Sequence, residues 1–182
     1  MNNKKNKKTE NEIFNQLLIK LYTRQLKPGD KLPPLKAFAT EMGVDQASLR
    51  IALKQLEMMN LLDIRRSDGV YIQDFKETGG LDFLTSLFSI EGIEENTAIL
   101  DVFLIDEILA FWTAFYPEIM YMTNQKLSSL DMKQFLEIFD AQIANIDNIE
   151  KLVEFDLAAQ DMLKKLSNNL MVILFFNSVA PM

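Results

Sequence analysis

The chain has 182 residues, of which 48% are hydrophobic, enough for real cores and too many for wholesale disorder. It contains no cysteine, which excludes a disulfide framework and thiolate chemistry and fits a reducing cytoplasm. The net charge of −7 is unevenly placed: residues 1–76 hold 14 Lys/Arg against 9 Asp/Glu, and the remainder holds 5 against 17. A cationic front joined to an acidic remainder is the asymmetry of a nucleic-acid-reading domain attached to a separate acidic one. The first residues lack the apolar core of a signal peptide, and the longest apolar run, Leu170–Phe176, is too short to span a bilayer.

Residues 1–8 form a basic, polar tail expected to be disordered. A helix is expected from Thr9 or Glu10, because Ile13, Phe14, Leu17, Leu18 and Leu21 make one apolar stripe. Pro28-Gly29 and Pro33-Pro34 then punctuate the chain, with Pro34 near a helix start. Leu35, Phe38, Ala39 and Met42 recur at helical spacing. Gly43 stops that helix, and Asp45 is placed to cap the next. In the following segment, roughly Asp45–Asn60, the same spacing returns at Leu49, Ala52, Leu53 and Leu56. Two short amphipathic helices around a glycine turn make a helix-turn-helix, whose second helix can lie in a major groove. Leu62–Arg65 and Val70–Gln73 flank Ser67-Asp68-Gly69, so a hairpin wing follows. The fold expected for residues 9–73 is a winged helix.

These residues resemble the GntR superfamily of bacterial transcription regulators. The match is carried by Leu26-Lys27-Pro28-Gly29-Asp30-Lys31-Leu32-Pro33, by Met42-Gly43-Val44, and by Leu49-Arg50 with Leu53 and Leu56. The wing and the Gly79-Gly80-Leu81 join to a helical domain look like the FadR-type subgroup. The resemblance implies a dimeric regulator that binds double-stranded DNA at a palindromic operator. The family usually starts its recognition helix with arginine and threonine; here the run is Asp45-Gln46-Ala47-Ser48, while Arg50 is retained. Lys36 stands where the family has an arginine. Gln46 can read adenine, Ser48 can reach a phosphate or base edge, and Arg65 and Arg66 are natural phosphate or minor-groove contacts. The expected DNA-contacting residues are thus Lys36, Gln46, Ser48, Arg50, Arg65 and Arg66.

Asp74–Gly80 is expected to be a linker about which two domains reorient. Residues 81–182 carry no strand signal and are expected to form an all-α helical bundle for effector binding and dimerisation. Its helices are read at Leu81–Ile90, Thr97–Tyr116, Ser128–Asn145, Asn148–Leu166 and from Asn169 onward, with Pro117 ending the second. The second helix is apolar nearly all round, so it is central to a bundle or buried against another subunit. In the fourth, Asp156 and Gln160 lie within roughly 20° of the direction of Ile149. A carboxylate and an amide in an apolar stripe make either a polar pocket or a buried hydrogen-bonded pair, and are the candidate ligand-binding residues.

The metal-binding branch of the resembled subgroup places a histidine at the position of Gln160. This chain has no histidine, and one aspartate with a glutamine does not make a transition-metal site. The metal-free branch is the better analogue, and by that resemblance alone the effector would be an acyl-CoA or a small carboxylate. No catalytic residues are expected: without His or Cys, acid–base work falls to carboxylates, and no second one shares the face of Asp156. The competing reading is a ligand- or partner-binding helical protein that keeps a vestigial winged helix. The chain also ends sooner than the family's bundle normally does, which reads as a shortened member or as faces covered by a partner subunit.

Overall fold

In this computed structural model residues 9–90, 102–124 and 127–179 are described. The basic tail at 1–8 and the expected helix start at 97–101 lie outside them. The chain divides into two compact units, Met1–Leu100 and Asp101–Met182.

The first unit begins with α1 (Glu10–Tyr22), started by a reciprocal capping box in which the Thr9 hydroxyl accepts from the Glu12 amide and the Glu12 carboxylate accepts from the Thr9 amide. Its stripe of Ile13, Leu17, Leu18 and Leu21 is buried against α3. Helix α2 (Leu35–Met42) starts after Pro34 and ends at Gly43, whose φ of +69° only glycine adopts without strain. Helix α3 (Gln46–Met58) turns Leu49, Ala52, Leu53 and Leu56 inward. Each large apolar side chain so buried contributes about 1.5–3 kcal/mol. Strands β1 (Leu62–Arg65) and β2 (Gly69–Ile72) pair antiparallel, with Asp63 opposite Tyr71 and Arg65 opposite Gly69. A bridge from Lys31 to Tyr71 adds one further extended stretch beside β2. Asn60, Ser67 and Asn168 take left-handed backbone angles, with φ of 57°, 65° and 45°.

The structure corrects the expected linker. Asp74–Gly80 contains a helical turn, α4 (Phe75–Thr78), packed into the first unit. Asp74 caps that turn and accepts a 2.8 Å hydrogen bond from Arg24 Nη2, and the Arg24 guanidinium lies 4.3 Å from the Phe75 ring centre. Phe75 stacks on Phe83 at 4.8 Å, and the Thr78 hydroxyl donates to the Asn60 carbonyl at 2.6 Å. The physical reason is Phe75, an aromatic anchor within a polar stretch. Helix α5 (Leu81–Phe88), read as the opening of the helical domain, buries Phe83 and Leu87 and belongs to the first unit too.

The second unit holds α6 (Val102–Asn124), α7 (Ser129–Ala144), α8 (Ile149–Ser167) and α9 (Leu170–Val179). Pro117 does not end the second expected helix: α6 continues through it to Asn124. A proline inside a helix costs about 3 kcal/mol. Burial of Ile119 and Thr123, two and six residues later, beside half-buried Met120, offsets that loss. The core of this unit gathers Ile119, Phe135, Leu163, Val172, Phe176 and Val179. Along α7 only Phe135 is buried, and Leu136, Phe139, Ile143 and the following Ile146 stay exposed. No described helix is long and apolar enough to cross a membrane.

Candidate nucleic-acid interface

The start of α3 is fixed by its cap. The Asp45 carboxylate accepts from the amides of Ala47 at 3.1 Å and Ser48 at 3.0 Å, satisfying two donors that the first helical turn leaves open. With α3 anchored inward by its four buried side chains, its outer arc follows from about 100° per residue. Gln46 and Arg50 occupy one flank, Ala47 and Lys54 the middle, and Ile51 with Gln55 the other flank, all exposed. Ser48 sits at the edge of this arc and is half-buried. Lys36 is exposed on α2, and Arg66 at the hairpin turn. The side chains of Lys36, Gln46, Arg50 and Arg66 form no hydrogen bond or ion pair with another described residue.

Arg65 differs from this set. Its Nε donates to Asp63 Oδ2 at 2.7 Å, and its guanidinium lies 4.2 Å from the centre of the Tyr71 ring. The hydrogen bond to Asp63 holds the guanidinium's pKa above its ordinary value. On the same solvent-facing side of the wing, Lys31 Nζ donates to Asp68 Oδ1 at 2.7 Å. The Tyr71 hydroxyl donates a bifurcated hydrogen bond across both oxygens of that carboxylate, at 3.1 and 3.0 Å. The Lys31 contact, then the phenol, hold the Asp68 carboxyl below its usual range. Sequence reasoning assigned no contact role to Lys31, Tyr71 and Asp68, or to the central pair Ala47 and Lys54. The helical spacing of α3 held the signal for the latter, since Ala47 and Lys54 are two turns apart on the side opposite Leu49 and Leu56. Lys54 is itself paired with Glu57. An alanine methyl in such a position can touch a thymine methyl.

Asp156 and Gln160 lie in α8 of the second unit and are hydrogen-bonded to one another. Gln160 Nε2 donates to Asp156 Oδ2 at 2.6 Å, and the Tyr116 hydroxyl of α6 donates to Asp156 Oδ1 at 3.1 Å. Burial first, and the adjoining Asp156 charge second, push the Tyr116 phenol far above its usual range, so it stays protonated and donates. Gln160 is only 7% exposed, and its Oε1 meets no donor in the described residues. Tyr116 is the member that sequence reasoning missed: nothing local links it to α8, 40 residues away.

Residues 9–72 match the family model described as "Bacterial regulatory proteins, gntR family". The HTH-type transcriptional regulator Mce2R of Mycobacterium tuberculosis is 28% identical over 115 residues, covering 63% of this chain and 45% of that protein. LutR of Bacillus subtilis, also an HTH-type transcriptional regulator, is 36% identical over 52 residues, 29% of this chain and 24% of its own. This chain therefore spans less than half the length of these curated relatives. A solved structure of Lar, described as controlling expression of the Listeria monocytogenes agr system, is 16% identical and covers 97% of this chain and 72% of its own, with a TM-score of 0.46. With the capped second helix, the glycine turn and the paired wing already in place, residues 9–72 are a GntR-family winged helix-turn-helix domain.

Proposed function

We propose that this chain regulates transcription as a cytoplasmic, FadR-like dimer, each protomer laying α3 in the major groove of one half of a palindromic operator. The observation that carries this reading is the capped start of α3, which presents Gln46 and Arg50 outward; these two, with Lys36 on α2 and Arg66 at the hairpin turn, are exposed and have no side-chain partner among the described residues. Exposed cations in the same unit as a fixed polar helix start are suited to phosphate neutralisation and base-edge hydrogen bonds.

The dimer rests on the second unit. Ile143 is 70% exposed, Ile149 77% and Leu136 55%, and these sit with Phe139 and Val153 on the faces of α7 and α8. Exposed apolar side chains of that size and number mark an interaction site, and a second copy supplies the two-fold symmetry that a palindromic operator requires. An effector held in the second unit, with the Tyr116–Asp156–Gln160 cluster as its polar anchor, would shift the placement of the two winged helices and so the affinity.

Selection of bound sequences from a random duplex library by the full chain tests the reading. The expected result is a two-fold symmetric site with half-site centres about 10 base pairs or a multiple apart. Arg50→Ala is expected to weaken that binding and to relax its base preference. No enrichment, together with duplex retention that ignores salt and survives Arg50→Ala, refutes it in favour of a partner-binding helical protein with a vestigial winged helix.

A further inference from the structure

The outer face of the wing is an anion site that the chain fills with its own carboxylate. Three groups converge there: the Lys31 ammonium, the Tyr71 hydroxyl, and the Arg65 guanidinium laid over the Tyr71 ring. The β-register fixes their positions, since Lys31 bridges Tyr71 on one side and Asp63 faces Tyr71 on the other. Gly69 makes room for this, because a side-chain carbon there would come within 2.5 Å of Lys31 Cε. The occupant is Asp68, one residue before β2, whose two oxygens accept from the Lys31 ammonium and, in a bifurcated bond, from the single Tyr71 O–H.

We propose that Asp68 is a built-in competitor for a DNA backbone phosphate, and that Lys31 and Tyr71 exchange its carboxylate for that phosphate when the wing meets a duplex. The proposal rests on the DNA-binding reading above and deepens it by assigning a phosphate contact to residues outside α3. Oxygen replaces oxygen: the ammonium and the phenol keep donating, and Asp68 swings into water. Lys31 and Asp68 are each nearly half exposed, 47% and 46%. Pairs exposed to that degree gain little from each other against water, so opening the pair costs less than a phosphate contact returns. Each phosphate neutralised is worth about three- to four-fold in affinity across a fourfold change in salt. Asp63 restrains Arg65 in the same way, which leaves Arg66 as the wing cation with no partner among the described residues.

The experiment measures binding of the full chain to a mixed-sequence duplex over a range of sodium chloride concentrations, for wild type, Asp68→Asn, Lys31→Gln and Tyr71→Phe. Asp68→Asn is expected to tighten binding about two- to five-fold, because asparagine holds the turn without competing as an anion. Lys31→Gln should flatten the slope of log affinity against log salt by about 0.9, the loss of one phosphate contact. Tyr71→Phe should weaken binding with the slope kept. Asp68→Asn that melts like wild type and binds no more tightly overturns the proposal, and so does a Lys31→Gln slope equal to that of wild type. If Asp68→Asn fails to fold, the Lys31→Gln slope decides alone. A wild-type chain that ignores duplex even at low salt overturns the DNA-binding reading itself, and this inference with it.

Discussion

Asp45→Ala tests whether the start of α3 is held as its geometry says. The substitution removes two hydrogen bonds of 3.1 and 3.0 Å to the amides of Ala47 and Ser48, and a negative charge at the positive end of a helix. Loss of an N-cap costs about 1 kcal/mol, within a range of about 0.5–2, and loss of the charge–dipole term adds roughly 0.3–1. Because α3 supplies Leu49, Ala52, Leu53 and Leu56 to the core of the first unit, the loss is felt by that whole unit and not by one frayed turn. For a body of this size each kcal/mol lowers the melting temperature by roughly 4–8 °C, so a fall of roughly 5–15 °C is expected in its transition. On DNA two effects oppose each other. Gln46 and Ser48 lose their fixed orientation, while one carboxylate leaves a face turned to phosphates. Sequence discrimination should therefore fall while low-salt affinity for mixed duplex holds. Asp45→Asn separates the terms, since asparagine caps as well as aspartate. Melting followed by circular dichroism, paired with duplex titration, reads both. An Asp45→Ala chain that melts like wild type, or an Asp45→Asn chain as weak as Asp45→Ala, refutes the reasoning.

Phe176→Ala empties the centre of the second unit, where the ring is fully buried and stacks on Trp112 at 6.0 Å. A loss of about 3–5 kcal/mol is expected in that unit's transition, and a thermal scan should show the first unit's transition unmoved. Tyr116→Phe takes one donor from Asp156 and should lower the stability of the same unit by about 1–3 kcal/mol, measured by urea unfolding. A value near zero would mean that solvent replaces the hydroxyl. Acid should weaken the fold in a defined direction. The Asp68 carboxyl, held low first by Lys31, and the Asp74 carboxyl, held low first by Arg24, both favour the folded chain above the ordinary carboxylate range. That contribution is lost as pH falls from about 4 through their depressed values. A urea midpoint flat between pH 5 and pH 3 would contradict this.

Much of the first unit was legible because its signals are local. The spacing Leu35, Phe38, Ala39, Met42, the stop at Gly43 and the cap at Asp45 each act within a few residues, and each element lies where they placed it. What local reading missed depends on distant partners. Asp68 is tied to Lys31, 37 residues earlier, and Asp156 to Tyr116 across a similar interval. Phe75 looked like one apolar residue in a polar hinge, and its stacking on Phe83, with the Arg24–Asp74 and Thr78–Asn60 contacts, makes the segment part of the first unit. Pro117 is a different kind of miss. The apolar spacing Trp112, Phe115, Tyr116, Ile119 and Met120 runs straight through it, and periodicity outweighed the breaker.

The left-handed angle at Ser67 has a practical consequence for anyone wishing to toughen this protein. Asparagine tolerates that basin, so Asn60 and Asn168 leave little to improve, whereas serine sits there at a penalty of roughly 1 kcal/mol. Glycine at 67 would relax the hairpin tip without disturbing any neighbour, though part of the gain returns to the more flexible unfolded chain. One substitution at the hairpin tip is therefore a stability increment open to engineering.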